Sequence, residues 1–164
     1  MKIVVLGPQG TDLGLWATGM SLFLAGSVDR GTLTMDSMIG NALAAAGMLR
    51  TMSTLYNSDQ FAQFTNQTTE LASWVTEIVE ASFEYQKSSD RLLPNYFNQT
   101  GSFSDGAATA LLVACSYRLA QLSLGNATVI RAERSRIALY NDVNATTGIL
   151  QPVVNPLNFP VQAA

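Results

Sequence analysis

The lack of any histidine and the presence of one cysteine, Cys115, decide which chemistries this sequence can support. Ser-His-Asp and Cys-His nucleophile systems, haem ligation and imidazole or thiolate zinc sites all need residues that are not there. Acid-base work would fall to Asp, Glu, Tyr or Lys. Cys115 lies in the apolar run Ala110-Leu-Leu-Val-Ala-Cys-Ser-Tyr117, where a small buried hydrophobe is expected rather than a reactive thiol. Glu77, Glu80 and Glu84 share one helical face, and their spacing suits a solvated stripe better than a paired general acid and base. Asp105 follows Ser102-Phe103-Ser104 and opens a helical stretch, so capping is its expected role, with ligand contact as the alternative. No catalytic residue, metal ligand or cofactor is assigned.

Met1-Lys-Ile-Val-Val-Leu-Gly-Pro-Gln-Gly10 has the look of a strand followed by a phosphate-cradling glycine loop. Such a loop needs Gly-x-x-x-x-Gly-Lys-Ser/Thr, so that backbone amides and the lysine converge on phosphate oxygens. Counted from Gly7, the last three positions hold Asp12, Leu13 and Gly14, and the Asp12 carboxylate would repel a phosphate. The nucleotide-binding reading is rejected.

The elements that must position any site are helices. From Thr68, apolar Leu71, Trp74, Val75, Ile78, Val79 and Phe83 recur at three and four while Glu70, Glu77, Glu80 and Glu84 take the other side, with Thr68 or Thr69 as cap. A second helix is expected over 105–122, apolar almost all round and therefore buried on most faces. A third is expected from the Asn126-Ala127-Thr128 cap through Val129, Ile130, Ala132, Ile137 and Leu139 to about Asn141, with Arg131, Glu133, Arg134 and Arg136 on its wetter side. Residues 41–56 read as a further helix through Leu43, Ala46, Gly47, Leu49, Arg50 and Met52. Long connectors are expected over 87–104 and, with three prolines, over 141–160. Residues 1–40 show no clean period beyond a possible strand at Ile3-Val-Val-Leu6.

Composition narrows the partners. With 48% apolar and 13% charged residues the chain can bury a core. A net charge of -3, with nine basic residues thinly spread, offers no stripe to neutralise nucleic acid or an anionic membrane. The uncharged stretch from Leu13 to Val28 is 16 residues long, short of the ~20 that span a bilayer. Asp12 ahead of it makes a poor signal peptide, so none is assigned. Asn66, Asn98, Asn126 and Asn144 each open an Asn-x-Thr glycosylation sequon, a mild pointer to a secreted, extracellular origin.

Three ordered segments carry a resemblance: Leu71-Ala-Ser-Trp-Val-Thr-Glu-Ile-Val79, Leu92-Leu-Pro-Asn-Tyr-Phe97, and Asp105-Gly-Ala-Ala-Thr-Ala-Leu-Leu-Val-Ala-Cys-Ser-Tyr-Arg-Leu119. Followed by Asp142-Val-Asn-Ala-Thr-Thr-Gly-Ile-Leu-Gln-Pro-Val-Val-Asn-Pro156, they resemble fungal members of glycoside hydrolase families 88 and 105, over most of residues 41–158. The resemblance implies an all-α six-hairpin (α/α)6 toroid that hydrates the 4,5-double bond of an unsaturated glucuronyl or galacturonyl residue through an aspartic acid, without metal or cofactor. The same resemblance places that aspartate upstream of Met1 and only four or five of the helices within this chain. The expectation is therefore an incomplete toroid over 41–164, inactive alone, whose exposed apolar helix faces favour self-association.

Fungal relatives carry a Trp-Ala-Thr-Gly-Asn-Gly-Trp-Ala-Ala-type segment walling the sugar site. Here Trp16-Ala-Thr-Gly19 is parted from Asn41-Ala-Leu-Ala-Ala-Ala-Gly-Met-Leu-Arg50 by 21 residues, and removing 20–40 joins them. The codons available there can hold donor, branch and acceptor signals in order and in phase, so the insertion is read as a retained intron. Trp16 and Asn41 are substrate-binding candidates from that segment, although Leu43 stands where the second tryptophan would stack, and Tyr96, on a loop that could face the barrel mouth, and Asp105 join them as separate candidates. The competing expectation is a non-enzymatic helical interaction or scaffold protein.

Overall fold

A computed structural model describes residues 37–59, 61–155 and 158–163. Trp16, the Ile3–Leu6 strand, the Gly7 loop and residues 20–36 of the expected insertion lie outside the described residues. The described chain is mostly helical: α1 (Met38–Tyr56), a 3-10 turn (Phe61–Phe64), α2 (Thr65–Glu84), α3 (Gly106–Gln121) and α4 (Val129–Asn141). A short antiparallel pair follows, β1 (Val154–Asn155) and β2 (Asn158–Gln162). The all-α expectation holds for this architecture.

α3 is the central element, packed against α1, α4 and α2. Its composition explains the position: small and aliphatic residues on every side leave Ala114 as its one exposed residue before the last turn. α2 follows its expected period, burying Leu71, Val75, Val79 and Phe83 and exposing all four glutamates. Its start differs. The Phe61–Phe64 turn feeds directly into the helix, so Thr68 is interior, and its hydroxyl donates to the carbonyls of Phe64 and Thr65 instead of capping. α1 begins three residues before Asn41 and runs unbroken across Gly40, burying Met38, Ala42, Ala45, Met48 and Met52.

Two expectations need correction. In α4, Ala132, Ser135 and Leu139 face the core, while Ile130 and Ile137 are 69% and 52% exposed. Ser135 displaces them because its hydroxyl is needed inside: it donates to the Arg91 carbonyl at 2.6 Å and meets the Gln86 amide at 2.7 Å, fastening the loop after α2 to α4. The connector over 141–160 is not wholly irregular either. Val154 pairs with Gln162, and the Ala163 amide donates to the Val153 carbonyl at 2.8 Å.

The link between this hairpin and the helices is Asp105, which has no exposed surface. Its carboxylate accepts from the amides of Ala107 and Ala108, capping α3, and from the amide of Val154 at 3.1 Å. The neighbouring Gly106 amide donates to the Pro152 carbonyl at 2.7 Å. That approach is so close that a β-carbon at 106 would sit 2.9 Å from the Pro152 oxygen, which is why a glycine opens the helix.

Asp105→Ala would lose a cap and strand a buried amide, so it should cost about 2 to 4 kcal/mol in urea unfolding. Burial pushes the Asp105 carboxyl above its ordinary value of 3.8, partly offset by its three amide bonds. A carboxyl raised in the folded state favours folding while protonated, a contribution complete below pH 3.8 and lost as pH rises through the raised value. The stability of the parent chain relative to Asp105→Asn should fall over that window and level off above it. A constant difference across the window would show that Asp105 is not shifted.

Candidate functional site

A cleft of about 190 Å³ opens between α1 and α2. α1 supplies Met38, Asn41 and Met48. From α2 come Trp74, Glu77, Ile78, Ala81 and Ser82, with Tyr85 at its end. These positions recur at three and four residues, so they form one stripe along the helix beside the buried Val75 and Val79. The loop after α2 closes the end of the cleft with Phe97, whose ring centroid lies 5.0 Å from that of Tyr85 at an interplanar angle of 40°.

The loop is held there by backbone bonds. The Met38 amide at the start of α1 donates to the Asn95 carbonyl at 2.8 Å, and Ser37 pairs with Tyr96. On the other side, the Asn95 amide donates to the Phe103 carbonyl and the Asp105 amide to the Leu93 carbonyl, each at 2.8 Å. Leu92, Leu93 and Asn95 are buried, so this 87–104 connector is part of the core rather than a loose mouth loop.

Of the substrate-binding candidates, the structure brings Asn41 to the cleft, with its side-chain amide donating to the Ser37 carbonyl at 3.0 Å. Tyr96 is half-buried next to the cleft-lining Phe97, and Ser102 Oγ accepts its amide at 2.9 Å. Asp105 lies outside the cleft with its carboxylate given over to three amides. Asn66, Asn98, Asn126 and Asn144 are all exposed. Trp74, Glu77, Tyr85 and Phe97 were not singled out as a site by sequence, although Trp74, Ala81 and Tyr85 at spacings of seven and four mark one helical face.

Other titratable clusters hold structure together. The Tyr117 hydroxyl donates to Glu133, which also receives Arg136 at 2.9 and 2.6 Å. Those two partners, Arg136 first, hold the Glu133 carboxyl down at about 2. Asp142 is pushed up by burial and by the charge of Asp90, but Asp90 is itself spent on the Leu92 amide and the Ser104 hydroxyl. Among the described residues no group of three or more metal-binding side chains comes together. No described helix is long and apolar enough to cross a membrane.

Among the described residues the cleft therefore offers rings, one carboxylate and an amide, which are surfaces suited to binding. Compared with models of protein families, with curated proteins and with solved structures, the chain matches none.

Cys115 is 2% exposed and its thiol is pushed up to about 12 by burial. A thiol-specific disulfide reagent at pH 8 should leave the folded chain unmodified and label it within minutes in denaturant. Rapid labelling without denaturant would contradict the packing of α3.

Proposed function

We propose that this chain is a sugar-binding helical module, the wall of an incomplete (α/α)6 toroid of the unsaturated uronyl hydrolase type, and that it does not turn over its ligand by itself. The observation that carries the reading is the grouping of Trp74, Tyr85 and Phe97 around a cleft that also presents Asn41 and Glu77. Aromatic faces pack the C–H surfaces of a pyranose, and a few polar groups fix its hydroxyls. Sites for drug-sized ligands run to about 300–1,000 Å³. At about 190 Å³ the cleft fits one ring rather than a longer chain. The ordered segments that resemble family 88 and 105 hydrolases support a sugar as the ligand, and two of them, 71–79 and 92–97, contribute residues to the cleft.

Tyr85 is 45% exposed, so truncating it should leave the fold intact while removing one ring. In an NMR titration with a monosaccharide glycoside, Tyr85→Ala should weaken binding severalfold and at most about tenfold, in line with the roughly 0.5–1.5 kcal/mol that an aromatic contact contributes. Shifts scattered away from Trp74 and Phe97, or affinity unchanged in the variant, would sink the assignment. An unsaturated uronyl disaccharide mixed with the chain should keep its ultraviolet absorbance.

A second reading, self-association as a scaffold, is favoured by the outer face of α4. Ile130, Ile137 and Tyr140 stand at intervals of seven and three, the last 78% exposed. Apolar groups aligned on an outward helix face mark contact surfaces. In sedimentation equilibrium the chain should associate and Ile137→Lys should return it to monomer; a parent chain monomeric at high concentration would exclude this reading.

A further inference from the structure

We propose that the cleft selects an uncharged pyranose and rejects a uronate at this position, an inference that rests on the sugar-binding reading above and narrows its ligand. Among the described residues lining the cleft, Glu77 is the one that carries charge. A uronate needs the opposite arrangement, because its carboxylate must trade water for a cation or a cluster of donors, and a second carboxylate within a few ångströms opposes entry. An arginine fork is the usual partner for such a group.

Among the described residues no lysine or arginine lines the cleft. Arg131 is held by Glu84 and Arg136 by Glu133, and neither lines the cleft. Arg50 lies on the same helix as Asn41 and Met48, but two residues on from Met48 it projects from roughly the opposite side. A neutral ring meets no such conflict. Its hydroxyls can donate to the Glu77 carboxylate and pair with the Asn41 amide while its apolar face lies on Trp74 or Tyr85. The carboxylate is then an acceptor for a hydroxyl pair, a charge-assisted contact stronger than a neutral one.

The test uses two ligands that differ only in the group at C6: galactose, with a hydroxymethyl group, and galacturonate, with a carboxylate. Each is titrated into the full chain at neutral pH and followed by NMR. Galactose should bind at least ten times more tightly. Glu77→Gln should improve galacturonate binding several-fold with galactose changed less, and Glu77→Lys should reverse the order; the position is exposed on α2, so both variants should fold. Added salt should narrow the preference in the parent chain. Galacturonate bound as tightly as galactose or more so would overturn the selectivity while leaving the sugar-binding reading standing. If neither ligand perturbs residues of the cleft, both fall together.

Discussion

A carboxylate with no exposed surface must find hydrogen bonds for both oxygens, and Asp105 finds them in three backbone amides that belong to two different parts of the chain. Two of the amides are the orphan donors at the start of α3. The third belongs to β1, some 49 residues later. The backbone of the same residue is used as well: its amide donates to the Leu93 carbonyl and its carbonyl accepts the Thr109 hydroxyl, which in turn accepts the Leu93 amide. One residue thus fixes where the central helix begins, where the terminal hairpin rests and how the 87–104 loop runs. That loop carries Phe97 to the cleft, so the geometry of the candidate site depends on a residue that does not line it.

The helices were legible because their signals are local. The period of α2, the nearly uniform apolarity of α3 and the aspartate placed to cap it can be read from neighbours within one or two turns. What was not legible depends on contacts between distant residues. Ile130 and Ile137 look like core positions by type, yet Ser135 takes the inner face because Arg91 and Gln86, 44 and 49 residues earlier, need its hydroxyl. The hairpin at 154–162 was hidden by its prolines, which mark a loop in a linear reading, and becomes a strand pair only because the Asp105 carboxylate and the Gly106 amide anchor its approach.

The site divides in the same way. Asn41 came from a resemblance and does face the cleft. Asp105 reads as a cap from its position, and the structure bears this out while adding the Val154 amide, invisible in the sequence, as a third donor to its carboxylate. Trp74 and Tyr85 sit on a helix whose apolar stripe is wide enough to absorb them as ordinary core residues. They become a site by lining a cleft with Met38, Asn41 and Met48 of α1, to which the loop adds a third ring beside Tyr85. A one-dimensional reading can say that a helix has a broad apolar face, but not which part of that face its neighbour leaves uncovered.

The floor of the cleft has a further consequence. Met38 and Met48 line it and are at the same time fully buried members of the main core. Anything seated there rests on atoms that also hold α1 to the rest of the fold, so occupancy and folding are linked thermodynamically. A ligand at a hundred times its dissociation constant would add about 2.7 kcal/mol to the stability of the whole unit. The choice of methionine softens the linkage, since an unbranched thioether can change rotamer to admit a differently shaped ring without moving the helix that carries it. For any ligand seated there, such a floor would let the preferred shape change at little expense to the scaffold, a plasticity that leucine or isoleucine at the same two positions would deny.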